Sequence, residues 1–175
     1  MGNQLERIAE ALDALMAVGG GRDAAALTTA ELVAVNQAFG ALRRQVDAAF
    51  APVAAEISRQ SRSELGGESF AKRQGFRSPI AFISTTTGAS VAETVKLVQV
   101  GEASAPRASL TGELLPARHP HVAGAVASGR LAVHAAAAIV TLLDRVAPRV
   151  DTARLALAEG ELVDLAPGMR PDELA

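Results

Sequence analysis

Six basic and polar residues have the types and spacing that contacts with DNA require. They lie in two helical corners predicted at residues 78–100 and 120–146, and in the stretch just before the first corner. Arginine and lysine bind phosphate oxygens, and polar side chains on the second helix of such a corner reach base edges in a groove. The predicted nucleic-acid-binding residues are Arg73, Arg77, Thr94, Lys96, Gln99 and Arg130.

Basic residues are concentrated in one part of a chain that is slightly acidic as a whole. Residues 59–77 hold five basic and two acidic side chains, whereas the formal net charge of all 175 residues is −2. Attraction to DNA must therefore come from this local patch. The absence of tryptophan and tyrosine argues against a stacking platform for single-stranded nucleic acid. The competing interpretation is a solvated helix end and loop.

No set of residues predicts catalysis or metal binding. His119, His121 and His134 offer three imidazoles, but no carboxylate lies at ligand spacing and the chain has no cysteine, so we expect no metal site. Ser128 lacks the Gly-x-Ser-x-Gly frame of a hydrolase nucleophile. The sequence therefore predicts no catalytic residue, no cofactor and no small-molecule ligand.

Helix start and stop signals outline the first corner. Ser78 followed by Pro79 predicts an N-cap with proline in the first turn, and Gly88 predicts the end of this short helix. Ser90 and Glu93 form a predicted capping box for the next helix. A short helix, a turn and a capped second helix resemble a helix-turn-helix, although any corner of two helices has the same outline.

The chain after the first corner is also predicted to be helical. The second corner consists of a helix over 120–127, a turn at 128–130 and an apolar helix over 131–146. Another helix spans 149–166, with Gly160 as a candidate break. The 38 alanines favour helix, and no stretch alternates with the period of two typical of a strand. The predicted fold is all-α, a multi-helix bundle with helix-turn-helix-like corners.

The N-terminal part predicts a long helical hairpin. Residues 3–18 form an amphipathic helix, glycines 19–21 a hinge, and Thr28 with Glu31 a capping box. Apolar residues then recur in a heptad seam at Leu32, Val35, Phe39, Leu42, Val46, Ala49 and Val53. The seam predicts a helix over 29–62 that is kinked at Pro52. It would pack either against the first helix or against a second copy of the chain.

Two signatures in the sequence are similar to a known family. They are residues 70–97, and the run that joins Leu115-Pro116 to Gly129-Arg130-Leu131 and an alanine-rich helix. Both resemble the actinobacterial domain of unknown function 222, which is usually found in front of an HNH endonuclease domain. The likeness covers residues 30–175 and implies a module that accompanies a nuclease. The chain departs from the family at Ala132, where a serine or threonine usually caps the next helix.

The nuclease half itself is missing from the sequence. An HNH site needs histidines and an asparagine around a metal, but the only asparagines, Asn3 and Asn36, are far from every histidine. We therefore expect this chain not to be an enzyme. Residues 170–175 look like a helix start without a helix body, which favours a member truncated at its C-terminus.

These observations lead to two functional hypotheses. In the first, the chain is a non-catalytic helical module that assists double-stranded DNA binding or positioning. In the second, it is a protein–protein interaction or dimerisation module without nucleic-acid affinity, held together through the seam from Leu32 to Val53.

Acidic residues in the first helix exclude a signal peptide, and the longest apolar run, residues 131–143, is too short to span a bilayer. We expect a cytoplasmic protein with a hairpin domain at 1–62 and a continuous helical domain at 63–175.

Overall fold

The computed structural model describes residues 2–19, 24–109 and 111–168, and these are mostly helical. A single antiparallel pair of two-residue strands, β1 (Arg107–Ala108) and β2 (Leu114–Leu115), interrupts the helices. The all-α prediction is confirmed. The helices are α1 (Gly2–Gly19), α2 (Thr29–Arg59), α3 (Phe70–Arg73), α4 (Pro79–Thr87), α5 (Val91–Ser104), α6 (Pro120–Ala127), α7 (Val133–Val146) and α8 (Thr152–Leu165).

Local capping signals position several helix ends where the sequence predicted them. The Ser78 hydroxyl accepts the backbone N–H of Ala81 at 3.1 Å, and Gly88 ends α4 in the left-handed conformation at φ 73°. Ser90 and Glu93 form the reciprocal capping box of α5. In each case a side chain or a glycine satisfies backbone groups that the helix itself leaves without partners.

Two details of the helices differ from expectation. Helix α2 ends at Arg59, three residues before the predicted end. Helix α8 runs through Gly160 without a break, from an Asp151 N-cap whose carboxylate accepts the N–H of Arg154. The predicted helix start at residues 170–175 and most of the predicted glycine hinge lie outside the described residues.

The chain divides into two compact units, residues 1–40 and residues 41–175. Residues 41–62, which the sequence analysis grouped with the N-terminal hairpin, belong to the second unit. In the first unit, Thr28 and Glu31 form the predicted capping box, and the apolar side chains of its two helices are exposed. Leu5 and Ile8 on α1 are 71% and 59% exposed, and Phe39 on α2 is 53% exposed. The burial expected of a hairpin is therefore absent from the described residues of this unit.

The core of the second unit is built around α5 and α7. Helix α7 is buried on most of its surface, with Ile139, Val140 and Leu143 each 1% exposed or less. Helix α5 packs against α4, α6 and α7, while α8 covers α6 and α7. Within the described residues, no helix is both long and apolar enough to cross a membrane.

Candidate nucleic-acid interface

Four cations between α2 and α4 are exposed to solvent. We call Arg62, Lys72, Arg73 and Arg77 the basic segment. Among the described residues, none of these four side chains forms an ion pair or a hydrogen bond. An exposed arginine without a protein partner keeps its donors available for an anion.

An aromatic cluster holds the basic segment against α4. The rings of Phe70 and Phe76 each form a T-shaped contact with the ring of Phe82 on α4, with centroid distances of 5.1 and 5.3 Å. The N–H of Phe70 donates to the carbonyl of Gln60 at 2.8 Å. Burial of the apolar residues on one side of α3 therefore leaves Lys72 and Arg73 on the solvent side.

Arg59 lies in the same stretch of sequence but is already paired. Its guanidinium donates to both carboxylate oxygens of Glu56, at 2.7 and 2.6 Å, and Gln60 donates to the same carboxylate. These hydrogen bonds lower the pKa of Glu56 to about 2. Only four of the five basic residues counted at 59–77 are therefore free to bind an anion.

The pairing of Arg59 predicts a titration that NMR can measure. The carboxyl resonance of Glu56 is expected to titrate at about 2, and in Arg59→Ala it is expected to move toward the ordinary value of 4.5. Because the pKa is lowered in the folded state, the stabilising effect is present above pH 4.5 and is lost as the pH falls toward 2. The control Arg62→Ala should leave the pKa of Glu56 unchanged. A Glu56 pKa insensitive to Arg59→Ala would contradict the pairing.

The corner formed by α4 and α5 presents fewer polar residues than predicted. The expectation that Thr94 faces outward is wrong, because this side chain is completely buried and donates to the carbonyl of Ser90 at 2.9 Å. Gln99 is half-buried and donates to the hydroxyl of Thr141 at 2.9 Å. Lys96 is exposed and, in the part of the chain that is described, has no partner.

The outer face at the start of α5 is apolar. Val91 and Val95 are 62% and 45% exposed, and Glu93 is held by its capping box and by Arg43 at 3.2 Å. Base recognition in a groove requires hydrogen-bonding side chains on this face. The corner therefore resembles a helix-turn-helix in outline but presents Val91 and Val95 on this face.

The second corner cannot place α7 in a groove. Leu131 and Val133 at its start are buried, and the helix continues as the centre of the core. Arg130 remains exposed, and its guanidinium lies 3.5 Å from the carboxylate of Asp164. Of the six predicted binding residues, only Arg73, Arg77 and Lys96 are both exposed and unpaired.

The family model for a domain of unknown function (DUF222) matches residues 33–175. This chain belongs to the DUF222 family. Neither the curated proteins nor the solved structures contain a significant match to it.

The three histidines of this DUF222 chain lie in different environments. His119 is buried, with Nε2 at 3.1 Å from the Asp144 carboxylate, whereas His121 and His134 are exposed. Over the described ranges, no group of three or more His, Asp or Glu side chains has the arrangement of a metal site.

A buried polar cluster in the DUF222 fold escaped the sequence analysis. Glu159 on α8 is only 2% exposed, and its carboxylate accepts the N–H of Val122 at 2.9 Å. The other carboxylate oxygen lies 3.9 Å from Nδ1 of His119, while Arg118 lies 3.1 Å from Asp144. The cluster joins the start of α6 to α7 and α8. The spacing of these residues in the sequence gives no sign of it, because it draws on three separate elements.

Proposed function

We propose that this DUF222 chain is a non-catalytic module that binds double-stranded DNA through its phosphates. The observation that carries the proposal is the basic segment, whose four cations are exposed and without protein partners. Guanidinium groups match phosphate oxygens in geometry and charge. Lys96 on the neighbouring helix adds a fifth exposed cation.

The proposed binding does not depend on DNA sequence. The exposed residues at the start of α5 include Val91, Ala92 and Val95, which cannot donate or accept hydrogen bonds at base edges. Glu93 is also exposed, but its carboxylate is held by Ser90 and Arg43. Phosphate contacts position a protein on a duplex but carry no sequence information. In this proposal the module holds DNA for a nuclease domain of the HNH type in actinobacterial relatives, and it supplies no active site of its own.

Fluorescence anisotropy of a labelled duplex tests the proposal. Phosphate contacts by four cations give a slope of log K against log salt of roughly −3 to −4, so affinity should fall roughly a hundredfold between about 50 and 200 mM salt. The double variant Arg73→Ala/Arg77→Ala is expected to reduce the slope by about 2 and to weaken binding about tenfold or more at the lower salt. A duplex of scrambled sequence should bind equally well.

A matched variant separates a local contact from a general charge effect. Arg145 and Arg149 are also exposed and, within the described part of the chain, unpaired. The double variant Arg145→Ala/Arg149→Ala removes the same charge far along the sequence and should bind like the wild type. Equal losses in the two double variants would contradict a site at the basic segment. Absence of binding at 50 mM salt would instead favour an interaction module without nucleic-acid affinity.

A further inference from the structure

Arg59 is a neighbour of the basic segment in the fold as well as in the sequence. Two hydrogen bonds fasten the end of α2 to α3. The N–H of Phe70 donates to the carbonyl of Gln60 at 2.8 Å. The N–H of Ala71 donates to the hydroxyl of Ser61 at 3.2 Å. Because these bonds begin one residue after Arg59, the last turn of α2 lies beside α3, which carries two of the four cations of the basic segment.

The contact between Arg59 and Glu56 is open to solvent. The two side chains are 59% and 48% exposed, respectively. Their two hydrogen bonds use Nε and one terminal nitrogen of the guanidinium, which is the fork that a phosphate also binds in the bidentate manner. The carboxylate of Glu56 and a DNA phosphate are therefore alternative ligands of the same guanidinium, and both reach it from solvent.

Two features favour the carboxylate over a phosphate at Arg59. Glu56 lies one turn earlier on the same helix, so the contact brings together groups that the helix already holds close. Gln60 donates to the same carboxylate at 2.7 Å and fixes its position. The hydrogen bonds from Arg59 and Gln60 also lower the pKa of Glu56 to about 2, so the carboxylate is ionised and competes at any neutral or mildly acidic pH.

We propose that Glu56 is an autoinhibitory residue of the DNA site, which withholds Arg59 from phosphate and so limits the affinity of the basic segment. The inference rests on the proposed function and deepens it, since it assigns a regulating contact to the same site. In the wild type, the four cations of the basic segment contact phosphates without Arg59. When the charge of Glu56 is removed, Arg59 becomes a further phosphate ligand beside them.

Glu64 provides a matched control for the removal of one negative charge. It is exposed in the turn that follows α2 and, among the residues that the structure describes, it forms no ion pair or hydrogen bond. Glu64→Gln therefore removes the same charge near the basic segment without releasing a cation. Because Glu56, Arg59 and Glu64 are all exposed, substitutions at these positions leave the packing of α2 in the core unchanged.

Fluorescence anisotropy of a labelled duplex tests the inference. Glu56→Gln is expected to strengthen binding roughly three- to tenfold at about 50 mM salt and to steepen the slope of log K against log salt by about 0.9, as one added phosphate contact does. Arg59→Ala alone should leave the slope unchanged, because Glu56 already occupies the guanidinium. In Glu56→Gln/Arg59→Ala the steeper slope should be lost, and Glu64→Gln should not steepen it at all.

These slopes separate the inference from a general effect of charge and from the proposed function. A wild type that binds while Glu56→Gln leaves the slope unchanged overturns the inference alone. The same holds if Glu56→Gln steepens the slope equally with and without Arg59. If Arg59→Ala alone lowers the slope by about 0.9, phosphate already holds Arg59 in the wild type and Glu56 does not withhold it. Absence of binding by the wild type and by Glu56→Gln overturns both proposals.

NMR of the arginine Nε–H groups provides a second measurement that does not depend on affinity. With saturating duplex, the resonances of Arg62, Arg73 and Arg77 should shift in the wild type, whereas that of Arg59 should stay in place. In Glu56→Gln the Arg59 resonance should shift together with the other three. A wild-type Arg59 resonance that shifts as far as theirs contradicts the autoinhibitory contact and leaves the DNA proposal intact.

Discussion

Gly101→Ala is expected to lower the free energy of unfolding by about 2–3 kcal/mol. Gly101 lies on α5, where that helix meets the buried face of α2. A Cβ atom at this position would overlap the carbonyl oxygen of Ala51, and it would lie 2.9 Å from the carbonyl carbon of Ala51 and 3.0 Å from the Ala55 side chain. The oxygen belongs to the backbone, so the two helices must separate to make room. This cost exceeds the gain of about 1 kcal/mol that alanine brings to a helix interior.

Thermal and urea unfolding of Gly101→Ala and Gly124→Ala together check this explanation. Gly124 lies in α6, and a Cβ atom there meets nothing within 4 Å. Alanine at 124 should therefore stabilise the protein by up to about 1 kcal/mol. For a chain of this length, the loss at 101 corresponds to a decrease of roughly 5–10 °C in melting temperature. Equal effects at the two positions would contradict the close approach of α2 and α5.

The helix boundaries could be predicted because their signals are local. The Ser78 cap, the Gly88 stop and the Ser90–Glu93 capping box all act within a few residues along the chain. A short-range hydrogen bond needs no knowledge of the partner helices. The all-α class could also be predicted from local sequence, because alanine content and the absence of strand periodicity do not depend on which helices pack together.

The choice of buried face on α2 could not be predicted from the pattern of large residues. Leu42, Val46 and Val53 belong to the strongest apolar pattern in the helix, yet these side chains are exposed. The residues of α2 that are buried in the core are Ala51 and Ala54. Small side chains allow α2 to approach Gly101 closely, and this geometry depends on a residue about fifty positions away. The sequence pattern therefore identified a helix correctly while leaving open which face the core would use.

The expected exposure of the predicted binding residues was wrong where a helix packs in the core, as at Thr94. Thr94 is polar, but its hydroxyl bonds to the carbonyl one turn earlier, so the residue can be buried without an unsatisfied group. Gln99 is occupied by Thr141 in the same way. Arg73 and Arg77, by contrast, lie in a segment that is anchored by the contacts of Phe70 and Phe76 with Phe82. Long charged side chains beside such anchors stay in solvent, which is why charge was a better guide than polarity.

Glu159→Ala is expected to lower the free energy of unfolding by about 3 kcal/mol, because Glu159 is a buried acceptor. Its carboxylate accepts the N–H of Val122, which lies in the first turn of α6 and has no partner within that helix. Removing the carboxylate leaves this buried donor unsatisfied and opens a cavity beside His119, whose Nδ1 already lacks a hydrogen bond. Urea unfolding measures the loss. Glu161→Ala removes an exposed carboxylate from the same helix and should change stability by less than about 0.5 kcal/mol.

Glu159→Gln separates the two roles that the buried carboxylate can have. Glutamine keeps an oxygen that accepts the Val122 N–H but removes the negative charge facing Nδ1 of His119, 3.9 Å away. If hydrogen-bond acceptance dominates, Glu159→Gln should recover most of the stability lost in Glu159→Ala. If it is as unstable as Glu159→Ala, the negative charge of Glu159 is itself required. Stability of Glu159→Ala within about 0.5 kcal/mol of the wild type would show that neither role holds α6 to α8.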